Sequence, residues 1–186
     1  MKRAFRQEVD ERILDRAAAL FAQHGYAATS LQALADAVGL SKPGLLHHFP
    51  SKEALFEAAT AMGREHGRRL FEQVAPLAEG PERDRRAVEL LTDLALDRPG
   101  LVALGSRAIT TMGVEDVALG GGEAYVLDMF ALAPGAAAGE RAARVIGMLG
   151  ALVVLSLVAH HTGEKTAWRR HIITTCLDAL GVRGKA

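Results

Sequence analysis

Apolar residues recur along this chain at spacings of three and four, the period of an α-helix with one buried face. The pattern is densest and most sharply punctuated between Thr29 and Lys52. Leu31, Leu34, Ala35 and Val38 form one stripe, Gly39 stands where a helix must stop, and Leu45 and Phe49 form a second, shorter stripe. Thr29 is placed to cap the first helix, with Gln32 reaching back to complete a capping box. Ser41 caps the second helix, and Pro43 is tolerated in its first turn. Phe49-Pro50 ends that helix, because a residue before proline avoids the α region, and Ser51 caps the next one. Two short helices, a glycine turn and a third helix start are the layout of a helix-turn-helix, which places one short helix in the DNA major groove. Lys42, Gly44, Leu46 and His47 are left for the outer face of the second helix, a recognition helix from Ser41 to Phe49. Lys52 falls in the first turn of the third, where a cation opposes the helix dipole unless a phosphate lies there.

Helical spacing continues on both sides. Ile13, Leu14, Ala17, Ala18 and Phe21 predict a supporting helix from Arg6 to Gly25. Residues 1–6 hold Lys2, Arg3 and Arg6 and no acid, the composition of a loose basic arm suited to phosphates or the minor groove. A linking helix is expected from Ser51 to about Ala75, then helices around Ala87–Leu94, Leu101–Met112 and Val126–Phe130. Breaks are expected at Pro76–Pro81, Gly120–Gly122 and Pro134–Gly139. Val145 to Ala159 is apolar on every face. At about 22 Å such a helix falls short of a ~30 Å hydrocarbon core, so burial in a soluble protein is the better account. One chain of this size wraps it poorly, which predicts a partner chain over one side. Gly147 and Ala151 would allow close helix contact there, with Val154 and Val158 on the same helix. The last helix, carrying Ile172 and Cys176, would complete a four-helix interface between two subunits.

The chain has 186 residues and a formal net charge of zero. Zero net charge argues against coating nucleic acid, but distribution matters more than the sum. Residues 1–52 carry Lys2, Arg3, Arg6, Arg12, Arg16, Lys42 and Lys52 against Glu8, Asp10, Glu11, Asp15 and Asp36, an excess of two. Site-selective docking follows, rather than strong non-specific binding. One cysteine, Cys176, excludes an intramolecular disulfide. The N-terminus lacks the apolar core of a signal peptide, so a cytoplasmic location is expected.

The block from the first helix through Lys52-Glu53-Ala54-Leu55 resembles the DNA-binding domain of the TetR family of bacterial repressors. The residues that carry the likeness are Phe21, Gly25, Thr29-Ser30, Leu34-Ala35, Val38-Gly39-Leu40-Ser41-Lys42, Leu45, His48-Phe49 and Ser51-Lys52-Glu53-Ala54-Leu55. They span about the first third of the chain. The resemblance implies an all-α fold, with a three-helix head over 1–52 and a ligand-binding and dimerisation body over 53–186. It also implies a homodimer joined through its last two long helices, a palindromic operator of double-stranded DNA, and release by a small-molecule effector of unknown class. Thr29, Ser30, Ser41, Lys42, Pro43, Gly44, Leu46, His47 and Lys52 become the candidate DNA contacts. Leu46 stands where the family very often has a tyrosine that holds a phosphate; leucine can touch a thymine methyl instead, or simply pack. Gly44 stands where a side chain often reads a base.

For a small apolar or amphipathic effector, the candidate contacts are Met62, His66, Arg107, Met112, Tyr125, Met129, Phe130 and Met148. Arg107, isolated in an apolar helix, can anchor an acidic ligand or form a salt bridge. No cofactor, metal or membrane partner is implied: His160-His161 do not share a helix face. The chain has no nucleophile elbow, no P-loop and no dinucleotide glycine fingerprint, so a catalyst is not expected. Two rivals stand beside this reading: a regulator of the same fold controlled by a protein or by nothing, and a helical carrier or enzyme with a vestigial head.

Overall fold

The computed structural model describes residues 2–112, 123–132 and 139–182. The described residues form nine α-helices and no strand: α1 (Lys2–His24), α2 (Leu31–Val38), α3 (Lys42–His48), α4 (Lys52–Val74), α5 (Pro81–Asp97), α6 (Pro99–Met112), α7 (Glu123–Met129), α8 (Glu140–Thr162) and α9 (Lys165–Leu180). This is the all-α architecture that the periodicity implies. The breaks expected at Gly120–Gly122 and from Pro134 to residue 138 lie outside the described residues.

Neither glycine nor proline occurs between Lys2 and His24, so nothing in the sequence stops α1 from reaching back to Lys2. The loose basic arm is therefore corrected: the backbone is helical from Lys2. Along α1, Ile13, Leu14, Ala17, Ala18 and Phe21 turn one face inward onto Leu34, Ala35 and Leu45. Phe21 meets Phe56 edge-on at 5.1 Å between centroids, and Tyr26 meets the same ring at 5.1 Å. This apolar cluster also takes Leu55 and Ala59 from α4 and Leu101 from α6.

Helix α4 has 23 residues and extends about 34 Å. Its first turns belong to the head cluster, while Leu70, Phe71 and Val74 pack on the body. The body core joins α5, α7, α8 and α9 through Val88, Leu91, Phe130, Met148, Leu152 and Ile172, among others. Arg83 donates to the carbonyls of Met129 (3.0 Å) and Asp128 (2.8 Å), and Arg141 forms a forked pair with the buried Asp84 (2.6 and 2.9 Å). The two arginines fix the carbonyl end of α7 onto α5 and α8.

The last two helices differ in how far a single chain covers them. Helix α8 is apolar and long enough to cross a membrane, yet only 39% of its most apolar 18-residue stretch is buried, so it is not covered all round within one chain. Val154 (60% exposed) and Val158 (38%) lie on its open side. Ile172 and Cys176, taken as interface residues, are fully buried inside the chain, because α9 turns its apolar face onto α8 and α5. Burial pushes the Cys176 thiol up to about 12, which leaves it an inert core group.

Head and body meet where the start of α6 crosses α1. A Cβ on Gly100 would lie 1.9 Å from the Asp15 carbonyl oxygen and 2.9 Å from the Ala19 nitrogen, so only glycine permits this approach. Next to it the Leu101 N–H donates to the Asp15 carboxylate (3.0 Å), Arg98 pairs with Glu11 (3.1 Å) and Arg107 donates to the Ala22 carbonyl (2.9 Å). Burial pushes the Asp15 carboxyl above its usual range, against the Leu101 N–H and the Arg98 charge, which pull it down.

Gly100→Ala should separate α6 from α1, because the obstruction is backbone and cannot rotate away. A loss of about 1–3 kcal/mol in urea unfolding is expected; an unchanged midpoint would refute the close approach. Asp15 has its folded pKa raised, so its contribution is present at low pH and lost as pH rises through that value. Asp15→Asn keeps an acceptor for Leu101 and removes the charge. Relative to this variant, wild-type stability should fall as pH is raised above the ordinary carboxylate range, and a flat difference would contradict the assignment.

Candidate nucleic-acid interface

The helix-turn-helix is built from local signals. Ser30 caps α2 by accepting from the Ala33 N–H (3.1 Å), and Ser41 caps α3 by accepting from the Gly44 N–H (3.1 Å). Between them Gly39 adopts φ 73°, its N–H reaching the Asp36 carbonyl at 3.1 Å while Leu40 N–H reaches Ala35 at 3.0 Å. That pair of bonds is a Schellman closure, which needs a left-handed residue at the turn. Leu40 then packs on the head cluster, setting the angle between α2 and α3.

The expected cap at Thr29 is displaced by one residue. Thr29 is 2% exposed and its hydroxyl donates to the Gly25 carbonyl (2.7 Å), so its side chain cannot reach a phosphate. Gln32 bonds Asp36 (2.8 Å) along α2 and closes no capping box. Ser30 stays exposed at the start of α2.

Helix α3 divides cleanly. Leu45 is fully buried and Phe49 packs on the head cluster. His48 is turned toward α1, with Nδ1 2.6 Å from the Asp10 carboxylate. At 100° per residue, Lys42, Pro43, Leu46 and His47 share the remaining face. Lys42, Pro43 and His47 are exposed, and Leu46 is half-buried without joining the head cluster. Gly44 lies at the flank, where an added Cβ would stand 3.1 Å from the Ser41 hydroxyl that caps the helix. The structure thus brings Ser41, Lys42, Pro43, Leu46 and His47 together on one outward surface.

Lys52 does not join them as a free phosphate clamp. Its ammonium donates to the Tyr26 and Thr29 carbonyls (3.1 Å each) and lies 4.3 Å from the centroid of the Tyr26 ring. Tyr26 in turn donates to Glu53, a bond that raises the phenol to about 12 and lowers the Glu53 carboxyl. Lys52 therefore braces α4 against the loop before α2. Partners more than twenty residues away could not be read from its helix position.

The proposed effector contacts fall into separate places. Tyr125, Met129, Phe130 and Met148 lie in or against the body core, where Tyr125 meets Phe71 at 6.0 Å between centroids. Met62 belongs to the head cluster instead. His66 is half-buried among the charges of Arg69, Arg98, Glu11 and Asp97, and burial pushes its pKa down. Arg107 ties α6 to the end of α1 by donating to the Ala22 carbonyl. The Met112 side chain lies outside the described residues. Sequence reading missed Thr92 and Ser156, buried hydroxyls without a hydrogen-bond partner in the body core. Among the described residues, no group of three or more His, Cys, Asp or Glu side chains could hold a metal ion.

Residues 13–59 match the family model described as bacterial regulatory proteins, tetR family. The chain is 40% identical over 65 residues to the transcriptional repressor AcnR of Corynebacterium diphtheriae, covering 35% of this chain and 33% of that protein. It is 53% identical over 45 residues to the transcriptional repressor ComR of Escherichia coli, covering 24% of this chain and 21% of that one. The alignments thus span about a third or less of those relatives. A crystal structure named as a TetR-family regulator from Rhodococcus sp. shares the fold, with a TM-score of 0.50 at 17% identity over 94% of this chain and 98% of that one. The capped helices, the turn at Gly39 and the match over residues 13–59 agree: this segment is a helix-turn-helix head similar to that of the tetR family of bacterial regulatory proteins.

Proposed function

We propose that this chain is a DNA-binding transcriptional repressor that acts as a homodimer on a palindromic operator. The observation that carries the reading is α3. Its buried side is closed by Leu45, and its other side presents Lys42, Pro43, Leu46 and His47 to solvent. A seven-residue helix held this way fits the major groove. A head over residues 1–52 carries that helix; a body over 53–186 pairs two chains and receives the effector. Such a protein works on DNA in the cytoplasm, as a regulator and not as a catalyst.

The pairing surface is the open side of α8. Gly147, Ala151, Val154 and Val158 follow one another at helical spacing, none of them fully buried. Nothing stands within 4 Å of a Cβ on Gly147, so a partner backbone can come close. An apolar stripe left uncovered on one chain is satisfied by its own copy through a twofold axis. The same axis sets two α3 helices about 34 Å apart, one turn of DNA.

For the effector, Thr92 and Ser156 support an amphipathic molecule. A buried hydroxyl without a partner is unfavourable by about 1–3 kcal/mol, which a ligand with a donor or acceptor there would offset. Tyr125, Met129, Phe130 and Met148 supply apolar surface in the same core. An effector that favours a conformer with differently spaced heads releases DNA, and linkage then requires DNA to weaken effector binding by the same factor.

Two measurements test the DNA-bound dimer. Lys42→Ala should weaken binding to all sequences and reduce the slope of log affinity against log salt by about one, as loss of one phosphate contact requires. An unchanged slope would remove Lys42 from the interface. Val154→Asp should yield a single-chain mass by sedimentation, with helicity retained and operator affinity at least about tenfold weaker. A dimer that survives this substitution would place the pairing surface elsewhere.

A further inference from the structure

The outward face of α3 has an unusual chemistry for reading bases. Lys42 is a donor only, and His47 presents an imidazole. Pro43 and Leu46, three apart, are adjacent on the helix surface and apolar. Gly44 has no side chain, and the Ser41 hydroxyl is committed to the α3 cap. His48 is held by Asp10. No carboxylate and no amide therefore stands on this face. Cytosine, which asks for an acceptor, and adenine, which asks for a paired donor and acceptor such as Asn or Gln, lack their usual partners here.

The Leu46 environment narrows the choice. Half of α3 is anchored by Leu45 and Phe49, yet Leu46 is not among the residues packed on the head cluster. It remains part-exposed beside Pro43, with Lys42 one turn before it and His47 next to it. An apolar side chain among polar, DNA-facing neighbours gains by burying against the one apolar group of the major groove, the thymine 5-methyl.

We propose that Leu46, with Pro43 beside it, reads a thymine by its 5-methyl group in each half-site. Lys42 contacts a phosphate, and His47 an acceptor on an adjoining base or phosphate. This rests on the docking of α3 in the major groove argued above. The Leu46 position then specifies sequence rather than anchoring the backbone.

The test uses the full chain and an operator obtained by selection from random-sequence duplexes. Each thymine is then replaced by uracil, which removes only the methyl. One position per half-site should lose about fivefold in affinity, the effect of one buried methyl group. Leu46→Ala should bind thymine and uracil operators equally at that position. Its melting temperature should stay close to the wild type, because Leu46 is not among the residues packed on the head cluster. A thymine–uracil difference that persists in Leu46→Ala would overturn the assignment. So would a selected operator indifferent to every uracil replacement, although that result leaves major-groove docking intact. Failure to select any operator would overturn docking itself, and the thymine assignment with it.

Discussion

Helix α6 can lie against α1 only because residue 100 has no side chain. The 1.9 Å that would separate a Cβ from the Asp15 carbonyl is far inside any tolerable contact. This single omission lets the Leu101 N–H meet Asp15 and brings Arg98 to Glu11. It also draws Leu101 into the head cluster, so the head shares its core with a helix of the body. The orientation of α3 relative to the body follows from this crossing and from the path of α4. A change in how α6 sits is therefore felt at α1 directly, alongside any swing of α4.

The head resolves a conflict between stability and reach. Cations near the start of α4 oppose its dipole. Lys52 answers this by turning to the Tyr26 and Thr29 carbonyls, over an aromatic ring, while Glu53 lies beside it in the first turn. The lysine thereby stiffens the loop that precedes α2, and α2 carries α3 through Gly39 and Leu40. Rigidity at the turn keeps the outward quartet on α3 in one register. It also removes one cation from the surface that would face DNA.

Legibility in the sequence followed the range of the interactions. The caps at Ser41 and Ser51, the stop at Gly39 and the buried Leu45 are set by neighbours within five residues, and all were readable. The cap before α2 slipped from Thr29 to Ser30 because two hydroxyls were adjacent and only tertiary packing chose between them. Lys52, Arg107 and His48 were misjudged or left open because their partners lie 23 to 85 residues away. Ile172 and Cys176 were assigned to a subunit interface because a broad apolar face does not say which neighbour covers it. The unpartnered hydroxyls of Thr92 and Ser156 carry no sequence signal at all, since a mid-helix Thr or Ser ordinarily bonds its own backbone.

Electrostatics then give a reason why the proposed pairing through α8 would matter to the head. With an excess of only two cations over residues 1–52, and with Lys52 occupied internally, one head offers few phosphate contacts. Affinity for duplex DNA rises steeply with the number of phosphates neutralised, so a lone head of this kind binds weakly. In the proposed dimer the second head binds from a high effective concentration, which multiplies affinity without a new contact. The gain vanishes when the two α3 helices no longer match the half-site spacing. A weakly charged head thus makes DNA binding depend on the geometry of the body, and that dependence is what a small shift at the α1–α6 crossing could control.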